Sequence, residues 1–175
     1  MDSVVLNDQP APDFSLPALD GKIYRLDEQK GRLIVLDFWS AECPWSKRAD
    51  EELQGYLPAW GEAVTLWRIA SNANESEPFL QSVANERHLP LVLRDAQQVV
   101  ANLYGAQTTP HLFVIDALGL LRYQGALNDM TFRQRLPTQF YLHQAFEAVL
   151  AGRQPDPSQI EPYGCTIVRH VLNPM

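Results

Sequence analysis

Apolar and polar positions along the chain alternate between two periods, and the changes of period mark the elements. Leu33-Ile34-Val35-Leu36-Asp37-Phe38-Trp39 is an apolar run broken by one acid, which predicts a central strand buried on both faces. Val64 to Ala70 predicts a second buried strand and Leu91 to Leu93 a short one. Leu112 to Ile115 and Leu120 to Gln124 predict a hairpin about Leu118-Gly119. Between these runs the spacing predicts helices from Pro44 to about Trp60, Ser76 to about His88, Ala96 to Tyr104 behind Asp95 as a cap, and Thr131 to Leu150. Pro10, Pro12 and Pro17 forbid helix over 9–32, and Asp20-Gly21 signals a tight turn, so a β-hairpin is expected ahead of the main domain. The order is a hairpin, then β-α-β-α-β-α-β-β-α. It predicts an α/β domain with a central mixed sheet flanked by helices. The domain is expected over 1–151. Pro155, Pro157, Pro162 and Pro174 make 152–175 an irregular tail packed on it.

Composition narrows the class. A chain of 175 residues, 46% apolar and 20% charged, suits one soluble domain with a full core. A net charge of -7 sets nucleic acid and anionic membranes aside as main partners. No apolar run approaches the roughly 18–20 residues of a membrane span. The start, Met1 to Asp8, has neither a basic stretch nor an apolar core, so no signal peptide and a cytoplasmic location are expected. Two cysteines and four histidines without zinc-ligand spacing point to no metal, and no phosphate loop or other cofactor motif is present. Two cysteines are also too few for a disulfide scaffold, so each must be judged by its context.

Cys43 has a telling context. A buried strand that ends in cysteine, with Pro44 opening a helix, places sulfur where unpaired N–H groups and the helix dipole favour the thiolate, which is the nucleophile. Lys47 and Arg48 are expected to face solvent. Asp37, six residues earlier within the apolar strand, is expected to be buried with a raised pKa, which suits it to move a proton near the thiol. The bland alternatives are a packed cysteine and a strand-edge acid.

Asp37-Phe38-Trp39 followed by Cys43-Pro44 resembles the active-site strand and loop of the thioredoxin superfamily, and Tyr104-Gly105-Ala106-Gln107-Thr108-Thr109-Pro110 resembles the segment that ends in its cis-proline. The resemblance implies the thioredoxin fold, with Pro110 cis beside Cys43 and the Thr109 backbone available to pair with an extended substrate. Ala11-Pro12-Asp13-Phe14-Ser15-Leu16-Pro17 narrows the likeness to the redoxin branch, which includes the alkyl hydroperoxide reductase/thiol-specific antioxidant group. Cys43-Pro44-Trp45-Ser46-Lys47 and Gly164-Cys165-Thr166-Ile167 resemble the two ends of one bacterial subgroup.

The chain departs from the dithiol pattern at Ser46, which stands three residues after Cys43 where a second cysteine is usual. Cys43 then needs another thiol to resolve its product. Cys165 is the internal candidate, with a packed tail residue as the alternative. Ser40 stands where peroxiredoxins carry a hydroxyl, but Leu36 replaces their proline. Trp39 is expected in the core or as a lid over Asp37, and Trp45 as an exposed apolar contact. His111 is expected as a partly buried neighbour of the site.

Three readings follow. The first is a thiol–disulfide oxidoreductase acting on a protein or small disulfide, with Cys43 attacking and Cys165 or an external thiol resolving. The second is a peroxidase acting on peroxide, and the third a non-catalytic binding module. A monomer and a homodimer are equally compatible with the sequence.

Overall fold

The computed structural model describes residues 5–171. The apolar run of 33–39 forms β3 (Leu33–Trp39), every residue of which is buried. Its neighbours explain this. In chain order the elements around it are β1 (Ser15–Pro17), β2 (Ile23–Arg25), α1 (Pro44–Trp60), β4 (Val64–Ala70), α2 (Glu77–Glu86), β5 (Val92–Arg94), α3 (Val99–Tyr104), β6 (Thr108–Thr109), β7 (Leu112–Ile115), β8 (Leu121–Gly125), α4 (Tyr141–Leu150) and β9 (Cys165–Thr166). The five-stranded sheet has the order β5-β4-β3-β7-β8. Strand β3 lies parallel to β4 and antiparallel to β7, so the sheet is mixed as expected.

Alternation along β3 divides the core. Leu33 and Val35 pack with Ala49 and Leu53 of α1 and with Leu142 and Phe146 of α4. Ile34, Leu36 and Phe38 pack on the other face with Val100 and Tyr104 of α3 and with Leu16 and Leu26 of the N-terminal segment. Trp39 continues the first face beneath Leu80 and Val83 of α2. The strand is thus clamped between two apolar layers, which fixes where its last residues deliver Cys43.

The last helix is shorter than its pattern predicts. It starts at Tyr141 rather than Thr131. Asp129 captures the backbone N–H and the hydroxyl of Thr138 together with the Gln134 amide, which closes residues 129–138 into a loop around Pro137. Helix α3 begins at Val99 rather than Ala96, because Gln98 takes the left-handed conformation (φ 59°). Asp95 nevertheless caps it, accepting from the amides of Val100 and Ala101.

The C-terminal segment is a strap. Ser158 and Ile160 exchange backbone hydrogen bonds with Gln124, covering the edge of β8. The approach is so close that a Cβ on Gly125 (φ 138°) would collide with the Ile160 carbonyl. The strap then crosses the end of the sheet to pair β9 with β6. Beyond it, Val168 receives and returns hydrogen bonds with Asn72 and Ala73. The chain ends expected to belong to the domain and the tail, 1–4 and 172–175, lie outside the described residues.

Candidate active site

Strand β3 delivers Ser40 and Ala41 to a tight loop, and Cys43 is the N-cap of α1 with extended backbone (φ -78°, ψ 121°). Pro44 occupies the first helical position, where its missing N–H costs nothing. The cysteine is 2% exposed, and its Sγ lies 3.2 Å from the Thr109 carbonyl oxygen. The Thr109–Pro110 peptide is cis. Cys43 is paired with Cys165 as a disulfide, their Cα atoms 6.2 Å apart across a sequence separation of 122. That spacing lies within the ordinary range for a bridge.

The position of the missing second cysteine has a structural use. Ser46 is fully buried, and its hydroxyl accepts the N–H of Ser40, tying the loop to the first turn of α1. Ser40 in turn donates its hydroxyl to Glu75 Oε1 at 2.9 Å, and the Glu42 N–H donates to the same oxygen. The Asn72 amide holds the other oxygen of Glu75. Glu75 is thus the anchor of the Cys43 loop. Nothing local in the sequence distinguishes this buried loop glutamate from a solvated one.

Asp37 lies opposite Arg68 in the β3–β4 register, on the face that α1 covers. It is fully buried, and neither carboxylate oxygen has a hydrogen-bond partner. Burial, and then the nearby Asp50 charge, raise its pKa well above the ordinary 3.8, while Arg68 opposes them. Its carboxyl makes no hydrogen bond to Cys43, so a proton passing between them needs water or a side-chain movement. Arg68 is committed elsewhere, its Nε donating to Asp50 Oδ1 at 2.6 Å.

The raised pKa has a consequence for stability. The unfolded chain ionises Asp37 near 3.8, whereas the folded chain keeps it protonated to higher pH. Above the unfolded value the native state therefore binds the extra proton, and stability declines as pH rises until Asp37 ionises. Asp37→Asn should remove this decline. Its stability advantage over the parent in urea should be smallest near pH 4 and widen by up to roughly 1.4 kcal/mol per pH unit above that. Equal pH slopes for the two proteins would contradict the assignment.

The remaining expected residues take definite places. Trp39 is core, its indole N–H donating to Asp50 Oδ2. Trp45 was expected to be exposed but is half-buried, because Tyr163 of the strap packs edge-on against it at 5.0 Å and Arg48 covers its ring at 5.1 Å. The backbone of Thr109 was expected to be available, yet it is occupied by the chain's own strand, with Thr109 opposite Cys165 and Thr108 opposite Thr166. His111 is buried against Phe113, and burial pushes its pKa down to about 4, so it is neutral and its Nδ1 accepts the Gln107 N–H. Among the described residues no cluster of metal-ligating side chains occurs, and no helix is long and apolar enough to cross a membrane.

Gly164 shows how closely the strap is seated. A Cβ there would be driven into the Thr109 carbonyl and would stand 3.1 Å from Pro110 Cδ. Gly164→Ala should therefore lift β9 from β6. On titration of reduced protein with oxidised glutathione, closure of the Cys43–Cys165 bond should slow about tenfold, the rate equivalent of an overpacking cost at the low end of about 1–3 kcal/mol.

Comparison with known proteins places this geometry. The AhpC/TSA family model matches residues 8–124. The thiol-disulfide oxidoreductase ResA of Geobacillus thermodenitrificans is 30% identical over 136 residues, covering 72% of this chain and 74% of that protein. The thiol:disulfide interchange protein DsbE of Yersinia pestis is 29% identical over 133 residues, covering 73% and 69%. Among solved structures, an uncharacterized conserved protein of Geobacillus kaustophilus superposes with a TM-score of 0.85 at 28% identity, over 98% of this chain and 96% of that one. A hypothetical protein of Sinorhizobium meliloti 1021 does so at 0.84 and 27%, over 94% and 95%. The strand–Cys43–helix device and the family match agree: the chain belongs to the AhpC/TSA family, with a thioredoxin-like fold.

Proposed function

We propose that this protein is a thiol–disulfide oxidoreductase in which Cys43 attacks and Cys165 resolves. The observation that carries the reading is the seat of Cys165. Strand β9 holds it opposite Thr109, within bonding reach of the thiol at the helix N-terminus. The relatives named as thiol–disulfide oxidoreductase and interchange proteins support the same chemistry.

In the reduced protein the Cys43 thiolate attacks one sulfur of a substrate disulfide. A mixed disulfide forms, and the other substrate sulfur leaves as a thiolate and takes up a proton. The Cys165 thiolate then attacks Cys43 Sγ. The internal disulfide forms, and the second substrate thiol is released. One substrate disulfide is reduced and one protein dithiol is oxidised, and an external thiol reductant must restore the latter. Asp37, whose pKa burial raises well above the ordinary carboxylate value, is the proposed proton store for the reacting sulfurs.

The peroxide reading draws less support, because Ser40 is buried and its hydroxyl is spent on Glu75. Reduced protein mixed with one equivalent of oxidised glutathione should lose both thiols and give the Cys43–Cys165 peptide pair on mass spectrometry. With one equivalent of hydrogen peroxide it should react more slowly. Faster oxidation by peroxide, with sulfenic acid trapped at Cys43, would replace this reading with the peroxidase one.

A further inference from the structure

The strap does more than bring a thiol. It lies on β6 as an added antiparallel strand, with Thr109 opposite Cys165 and the Ile167 N–H bonded to the Gln107 carbonyl at 3.0 Å. On one side of the cysteine, Tyr163 packs edge-on against Trp45 at 5.0 Å and walls a groove together with Arg48, Pro110, Leu127 and Met130, and its hydroxyl accepts the Phe132 N–H at 2.8 Å. On the other side, Ile167 is 2% exposed and packs into the core cluster that contains Ala106 and Tyr104. Between them Gly164 has no room for a side chain, while Thr166 points to solvent. Each position thus meets a different demand: an aromatic ring, no side chain, the thiol, any residue, a buried aliphatic.

We propose that residues 163–167 occupy the cleft as an intramolecular copy of its substrate. The cleft takes an extended cysteine peptide of the pattern aromatic-Gly-Cys-x-aliphatic. This deepens, and rests on, the thiol–disulfide reading above.

One edge cannot carry two strands. Substrate peptide and strap therefore alternate on β6, and the strap leaves after an external thiol reduces Cys43–Cys165 to two thiols. The peptide then pairs with β6 as Cys43 forms the mixed disulfide with it. When the strap re-pairs, Cys165 attacks Cys43 Sγ, the peptide leaves as a thiol, and its strand is displaced in the same event. Resolution and product release are one motion.

The test uses the full chain carrying Cys165→Ser, reduced, so that the mixed disulfide is the end point. Three peptides are offered, each with its cysteine activated as a mixed disulfide with thionitrobenzoate, whose release is followed by absorbance. One carries the sequence of residues 161–168, one has valine for the glycine, and one has serine for both the tyrosine and the isoleucine. The first should react with Cys43 at least about tenfold faster than the other two. Because the protein is the same in each arm, its own stability cancels. Equal rates for the three peptides, or reaction with the small thionitrobenzoate disulfide alone, would overturn the substrate-copy inference and leave thiol exchange standing. Failure of Cys43 to react with the peptides and with the small disulfide alike would overturn the functional reading itself.

Discussion

Replacing Cys165 with serine should stall resolution while leaving the first attack intact. The physical reason is concentration. A thiol held on a strand beside Cys43 acts at an effective concentration of about millimolar or higher, whereas free thiol supplied at about 10 μM must arrive by diffusion. In a single turnover, release of the second substrate thiol should slow by roughly 10²-fold under that supply, the ratio of the two concentrations. A rapid phase of one substrate thiol per chain should persist, and the mixed disulfide at Cys43 should accumulate. Millimolar external thiol should restore most of the rate. Cys43→Ser should lose both phases, and thiol should not rescue it. Undiminished release of the second substrate thiol by the Cys165→Ser protein at low thiol would show that an external thiol, not the strap, does the resolving.

Replacing Asp50 with alanine should be the most destabilising single change near the site. Asp50 is 2% exposed and takes three donors: Arg68 Nε at 2.6 Å, Arg87 Nη1 at 3.1 Å and the Trp39 indole at 2.9 Å. Arg68 is equally buried, and its Nη2 already lacks a partner. Removing the carboxylate strands that guanidinium without a counter-charge, which costs about 3–5 kcal/mol for a broken buried pair. Urea denaturation at neutral pH should show the loss as a lowered midpoint with little change in slope. There is also an electrostatic consequence. The Asp50 charge helps to raise the Asp37 pKa, and Arg68 pulls it down. Asp50→Asn, which keeps the shape, should let Asp37 ionise at lower pH, and the pH-dependent decline in stability assigned to Asp37 should shrink. If that decline is unchanged in Asp50→Asn, the coupling between the two acids is absent.

These expectations separate what is local from what is not. Helix α4 shows a local pattern overruled: 131–150 reads as one helix, but the Asp129 carboxylate ties the first part into a loop through Thr138 and Gln134. Trp45 shows a different limit. An apolar residue in the first turn of a helix reads as exposed until a distant ring, here Tyr163, is known to cover it. Glu75, Asp50 and Arg68 gave no signal, because charged residues are ordinarily solvated and periodicity does not reveal a buried pair.

The sequence by itself determined the mixed α/β sheet, the buried strand 33–39 and the placing of Cys43 at a helix start. Each depends on residues within one turn or one strand of each other, where burial period and proline position suffice. The tertiary structure alone decided that Cys165, 122 residues away, lies against Cys43, and that β6 is occupied by the chain's own strand. Those contacts join segments with no shared local pattern. They are fixed by which surfaces meet when the strap crosses the end of the sheet, and close approach at Gly125 and Gly164 is what lets it cross there.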